Sequence, residues 1–177
     1  MDNNYVFGEI MITEEEIKQR IKEIGKQISD DFQGEEVLVI GILKGAVLFL
    51  SDLIREITLV TKIDFMAVTS YGASTKSSGV VRILKDLDTG IEDLNVIIVE
   101  DIIDSGVTLH YLRDYLLGRK PKCLKICTLL DKPERRESDI KADYTGFEVE
   151  NKFIIGYGLD YDQKYRNLPY ITCLEEK

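Results

Sequence analysis

Three short runs of almost wholly apolar residues, spaced along the chain, narrow the folds open to it more than any other feature. Val37–Leu43 is VLVIGIL, Asn95–Val99 is NVIIV, and Cys123–Leu130 is CLKICTLL. A strand with one wet face alternates polar and apolar residues, whereas a continuous apolar run marks a strand covered on both faces. Helical spacing follows the first run at Leu48, Leu53, Ile54 and Ile57, and the second at Leu109, Leu112 and Leu116 before Gly118 and Pro121 stop it. Strands that alternate with helices predict an α/β chain with a central, mostly parallel sheet flanked by helices. Thr61–Thr69, Val80–Leu84 and Phe153–Ile155 have the composition of further strands. Thr13-Glu14-Glu15-Glu16 is a capping box ahead of an apolar helical face at Ile17, Ile21, Ile24 and Ile28, closed by Gln33-Gly34. The stretch from Asp139 to Glu150 is polar and reads as irregular.

Parallel strands bring their C-terminal ends to one edge, where such sheets bind ligands. The residues expected there are Lys44-Gly45, Glu100-Asp101 with Asp104, and Asp131-Lys132. The middle segment, NVIIVEDIIDSGVTL, predicts a strand that ends at its two acids, then a tight turn, then a helix. Backbone N–H groups at that helix start, with the Ser105 and Thr108 hydroxyls beside them, suit a phosphate monoester. Gly106 allows the close backbone approach such a cradle needs. Acids beside an anion cradle make sense only if the ligand also brings hydroxyls or a divalent cation. A sugar phosphate brings the first, and pyrophosphate with Mg²⁺ the second. Neither GxxxxGK[ST] nor GxGxxG occurs in the chain.

With 177 residues and 44% hydrophobic content, the chain has enough material for one well-packed domain, 1–177. A net charge of −9 argues against nucleic acid as the main partner, and means that an anionic ligand needs a cation and a few placed Lys or Arg side chains. No apolar run has the length of a membrane span, and the N-terminus has no signal-like core. Cys123, Cys127 and Cys173 form no CxxC, so a disulfide framework or zinc site is not expected, and the setting is read as cytoplasmic. Cys123 and Cys127 are expected in the core of a strand. His110, the one histidine, is expected to pack or face solvent, which excludes chemistry that needs a histidine pair.

VIIVEDIIDSGVTL resembles the phosphoribosyl-pyrophosphate (PRPP) signature of type I phosphoribosyltransferases, in the form found in the 6-oxopurine branch of that family. The resemblance runs from about Val37 to Pro169. It implies the type I phosphoribosyltransferase fold, with a small hood built from the N-terminal segment and about residues 150–177. It also implies purine salvage with PRPP and a 6-oxopurine as substrates, Mg²⁺ as cofactor, and a homodimer or homotetramer. Residue by residue, Lys44 and Gly45 resemble the pyrophosphate loop, with a cis Leu43–Lys44 peptide. Glu100 and Asp101 resemble the acids near ribose and metal, and Asp160 a further metal ligand beside the purine pocket. Asp104, Ser105, Gly106, Val107, Thr108 and Leu109 resemble the 5′-phosphate loop, with Asp104 as the catalytic base. Lys132, Phe153 and Ile154 resemble the purine pocket, and Arg166 a pyrophosphate contact. Ser70 and Tyr71 head a Ser/Gly/Lys-rich run that resembles the catalytic lid. Ser105 stands where the family more often has threonine, which keeps the hydroxyl. The alternatives are a non-catalytic PRPP-binding regulator on the same fold, or an enzyme that prefers xanthine.

Overall fold

The computed structural model describes residues 5–70 and 81–177. In chain order the elements are β1 (Tyr5–Ile12), α1 (Glu14–Asp31), β2 (Val37–Leu43), α2 (Val47–Glu56), β3 (Thr61–Ser70) and β4 (Val81–Lys85). They continue with β5 (Asn95–Ile103), α3 (Val107–Leu117), β6 (Cys123–Asp131), a 3₁₀ turn at Pro133–Arg135, β7 (Tyr144–Glu148), β8 (Phe153–Ile155) and β9 (Ile171–Glu176).

The three apolar runs become neighbouring strands of a six-stranded sheet in the order β4-β3-β2-β5-β6-β7. All its pairings are parallel except that of β3 with the edge strand β4. Both faces are covered, which is why these strands tolerate no polar alternation. Val39, Ile97, Val99, Cys127 and Leu129 pack in one core with α1 and α2, while Leu38, Ile40, Ile98 and Ile126 pack in a second with α3. Helix α1 starts as its capping box dictates: Thr13 N–H donates to Glu16 Oε2 at 2.8 Å, and Glu16 N–H returns to Thr13 Oγ1 at 3.2 Å. Cys127 is fully buried, whereas Cys123 is only partly so.

Two stretches depart from the sequence expectation. Tyr144–Glu148, inside the segment expected to be irregular, is strand β7, parallel to β6. Its polar look comes from its place at a sheet edge; Arg20 of α1 donates to the Gly146 carbonyl at 3.0 Å and the Thr145 carbonyl at 2.7 Å. The second departure is β5, which runs through Glu100 and Asp101 to Ile103 because its ladder with β6 continues to Ile103↔Asp131. The acids therefore belong to the strand itself.

A second, three-stranded sheet has the order β1-β9-β8 and is antiparallel. It joins the beginning and end of the described chain. The Thr172 hydroxyl, buried, donates to the carbonyls of Gly8 and Glu9 and ties β9 to β1 across a bulge. Among the described residues, no helix is long and apolar enough to cross a membrane.

Candidate active site

Strand β2 pairs with β5 only as far as Gly41↔Val99. Beyond that point β2 follows β3 to Leu43↔Ala67, and β5 follows β6. The two central strands part at their C-terminal ends, where the direction of strand order reverses. That is the topological switch point at which open α/β sheets bind ligands. A cleft of about 310 Å³ opens there, lined by Leu43, Gly45, Glu100, Asp101, the loop from Asp104 to Gly106, Thr108, Leu109, Asp160 and Arg166.

Glu100 and Asp101 meet in this cleft at high electrostatic cost. Burial, and then the charge of Asp101, push Glu100 well above the carboxylate range; its Oε2 is buried and accepts no hydrogen bond. Burial pushes Asp101 up to about 6, against the pull of the Ile102 N–H and the Arg166 charge. Two buried like charges with an orphaned oxygen await a cation or hydroxyl donors. Among the described residues, no three His, Cys, Asp or Glu side chains form a ready metal cage. None is needed by Mg²⁺, which keeps several waters and takes one or two carboxylates together with substrate phosphates. Asp160, also near Asp101, is engaged by Arg166 at 2.6 Å and by the Gln163 N–H at 2.8 Å.

This pair sets a pH dependence for the ligand-free protein. A carboxylate raised in the folded state binds more protons there than in the unfolded chain, so stability falls as pH rises from about 4 to about 6. For Asp101, displacement from 3.8 to about 6 corresponds to about 3 kcal/mol. Asp101→Asn is expected to be more stable than wild type at pH 8 in metal-free buffer, with the advantage gone at pH 4. Equal denaturant midpoints at both pH values would contradict it.

The anion cradle takes the expected strand–turn–helix form, and its glycine has a packing reason the sequence did not show. Gly106 caps α3 with φ +79, and a side chain there would strike Ile140, Ser138 and Arg136. The 136–140 segment packed behind the loop therefore requires glycine here, and the residue also lines the cleft. Glu137 N–H donates to the Ser105 carbonyl at 2.9 Å, and Arg136 bonds the Asp104 carbonyl at 3.3 Å and the Asp131 carboxylate. Ser105 Oγ accepts from Val107 N–H at 3.4 Å. Val107, Thr108 and Leu109 form the first turn of α3, whose N–H groups have no helical partner, and Thr108 and Leu109 line the cleft.

The pyrophosphate-loop candidates sit on the opposite wall. The Leu43–Lys44 peptide is cis. A Cβ on Gly45 would lie 1.6 Å from Asp101 Oδ2, so only glycine lets the acid pass over this loop. The Lys44 side chain turns outward and donates to Gln163 Oε1 at 3.1 Å. Gly158, with φ +100, presses in turn on the Gly45 carbonyl.

On the base side, Lys132 is nearly buried and donates to the Lys152 carbonyl at 2.7 Å. Burial lowers its pKa, and the charge of Asp104 partly restores it. Arg135 Nε lies 2.8 Å from Asp104 Oδ1 without aiming a hydrogen bond at it. Phe153 is 53% exposed, held edge-on by Tyr161 with centroids 5.7 Å apart, as a stacking surface should be. The Ile154 side chain points away from that surface into the core, so only its backbone is available to a base. His110 lies on α3 with Nε2 3.4 Å from Asp114. Ser70 ends β3, and Tyr71 with the lid run at 72–79 lies outside the described residues.

Sequence inspection passes over Arg135, Arg136, Tyr157 and Gly158. The Arg135-Arg136 pair just past a rim strand was a usable signal; the other two carry none, because their partners are more than a hundred residues away.

Comparison with known proteins agrees with this geometry. Residues 11–162 match the family model described as the phosphoribosyl transferase domain. The chain is 54% identical to the hypoxanthine-guanine phosphoribosyltransferase of Bacillus subtilis over 94% of its own length and 92% of that protein. The Streptococcus thermophilus protein of the same name is 52% identical over 95% and 93%. A crystal structure of a hypoxanthine-guanine phosphoribosyltransferase from Bacillus anthracis superposes with a TM-score of 0.91 at 49% identity, covering 97% of this chain and all of that one. The Trypanosoma cruzi hypoxanthine phosphoribosyl transferase does so at 0.90 and 42%, covering 96% and 92%. With a switch-point cleft that joins paired acids to a phosphate cradle, and with relatives matched along nearly its whole length, the chain belongs to the phosphoribosyltransferase family, in its hypoxanthine-guanine branch.

Proposed function

We propose that this enzyme transfers the 5-phosphoribosyl group of PRPP to hypoxanthine and guanine, releasing pyrophosphate and forming IMP and GMP. The observation that carries the proposal is the juxtaposition in one cleft of the α3 cradle, the Glu100–Asp101 pair and Asp104, with the nearly buried Lys132 within reach of the Asp104 charge. The cradle takes the 5′-phosphate, which fixes the ribose with its hydroxyls toward the paired acids. The purine lies on Phe153 with its 6-oxygen toward Lys132. As N9 attacks the anomeric carbon, the bond from that carbon to pyrophosphate breaks through an oxocarbenium-like state, and Asp104 takes up the purine N7 proton. Arg166 and the Lys44–Gly45 backbone receive the pyrophosphate. Glu100, Asp101 and Asp160 would hold Mg²⁺ together with PRPP, and the ion supplies charge neutralisation of the leaving group. The Ser70–Tyr71 lid excludes water that would otherwise hydrolyse PRPP.

Mixing protein, PRPP, Mg²⁺ and hypoxanthine should give nucleotide and pyrophosphate in equal amounts, followed by ultraviolet absorbance and a pyrophosphate assay. PRPP binding without product would favour the regulator, and a higher kcat/KM for xanthine would favour the other alternative. Turnover is expected to stop in excess EDTA and return with Mg²⁺; full turnover in EDTA would remove the metal from the mechanism. We further place the enzyme in the cytoplasm, consistent with its free cysteines, and read it as one domain with the β1-β9-β8 sheet as hood. A homodimer or homotetramer would cover Ile63 and Leu84, which are at least half exposed on the β3–β4 edge; analytical ultracentrifugation decides this.

A further inference from the structure

The wall of the cleft that carries Gly45 is held from behind by a contact outside the site. The Tyr157 hydroxyl donates to Asp52 Oδ2 at 2.5 Å; Tyr157 lies in the turn after β8, and Asp52 on α2, the helix that follows directly from the Lys44–Gly45 loop. Burial and the Asp52 carboxylate raise the Tyr157 pKa, so the phenol remains a donor at every working pH. Lys18 of α1, itself paired with Glu14, also feels the Asp52 charge, and Glu15, Lys22, Arg55 and Glu56 line the same surface hollow. Tyr157 has φ +47, between Gly156 at +98 and Gly158 at +100, so three consecutive residues take left-handed backbone. Such a turn persists only when its surroundings over-determine it. Here Tyr157 N–H donates to the Leu168 carbonyl and Gly158 N–H to the Arg166 carbonyl, both at 2.9 Å, while Arg166 Nη1 donates back to the Gly158 carbonyl at 2.6 Å.

From this turn a line of close contacts leads into the cleft. Gly158 rests on the Gly45 carbonyl, where a Cβ would come within 2.1 Å, and Gly45 rests on the Asp101 carboxylate. Asp160, at the end of this turn, and Arg166, hydrogen-bonded across it, both line the cleft. We propose that Tyr157 and Asp52 are positioning residues for the pyrophosphate side of the site: their hydrogen bond clamps the 156–160 turn to α2 and so sets the spacing of Gly158, Gly45 and Asp101. The proposal rests on the PRPP reading above, because it assigns the clamp to one substrate and leaves the other alone.

The test is steady-state kinetics of Tyr157→Phe, Asp52→Ala and Asp52→Asn, with thermal midpoints measured in parallel. Loss of a charge-assisted hydrogen bond should raise KM for PRPP and Ki for pyrophosphate by about 10-fold in Tyr157→Phe and Asp52→Ala. KM for hypoxanthine should stay within about 2-fold, because Lys132 and Phe153 lie on other elements. Asp52→Asn keeps an oxygen acceptor and should retain most of the wild-type KM for PRPP. The Tyr157→Phe/Asp52→Ala double variant should be no worse than either single variant. A lowered thermal midpoint with KM for PRPP unchanged, or both KM values rising together, would overturn the proposal. If Tyr157→Phe does not fold, the two Asp52 variants decide the matter by the same readout. Absence of nucleotide formation by the wild-type enzyme would instead refute the PRPP reading itself.

Discussion

Hypoxanthine and guanine should be used at least about 10⁴-fold more efficiently than adenine, and Lys132→Ala should collapse most of that difference. An ammonium has three donors and no acceptor. One donor of Lys132 is spent on the Lys152 carbonyl, so two remain for a ligand. The 6-oxygen of an oxopurine accepts one of them in a charge-assisted bond. Adenine presents an amino group at that position, donor against donor. The buried ammonium is then left short of a partner, and water is poorly placed to supply one because Lys132 is 6% exposed. Discrimination of this size arises from the penalty on the wrong base as much as from attraction to the right one. The measurement is kcat/KM for hypoxanthine, guanine, xanthine and adenine in wild type and Lys132→Ala. Comparable values for adenine and hypoxanthine in wild type would remove Lys132 from base selection.

Asp104→Asn should lower kcat by about 10²- to 10⁴-fold, the usual worth of a positioned general base, and leave KM for PRPP within a few-fold. The side chain is nearly isosteric, and the loop around it is held by backbone. The Asp104 carbonyl is fixed by Arg136, and the Ser105 carbonyl by the N–H groups of Glu137 and Ser138. The phosphate cradle should therefore survive the substitution while the proton acceptor is lost. Arg135 and Lys132 are cations near Asp104 and offset the negative charge it places next to a phosphate site. Wild-type kcat in the Asn variant would exclude Asp104 as the base. A large rise in KM for PRPP with kcat unchanged would make it a phosphate-loop residue instead.

What could be read in the sequence was whatever has a local physical signature. The apolar runs of β2, β5 and β6 announced strands covered on both faces, and their alternation with helices announced a parallel sheet with a common ligand edge. Thr13 and Glu16 lie three residues apart because a helix start demands it, and the Asp104–Leu109 turn is legible because a cradle needs small residues, hydroxyls and a helix N-terminus in sequence. Tertiary structure alone decided the rest. Gly106 proved to be needed by Ile140 and Ser138 packed behind it, and Gly45 by the Asp101 carboxylate, contacts with no sequence period. Tyr144–Glu148 looks irregular until β6 offers it an edge, and β5 extends through its two acids because β6 extends beside it. The sequence marks Glu100 and Asp101 as rim acids beside the cradle but says nothing of their burial. Tertiary packing buries them together at the cleft that opens where β2 parts from β5, and that burial raises both carboxyl pKa values.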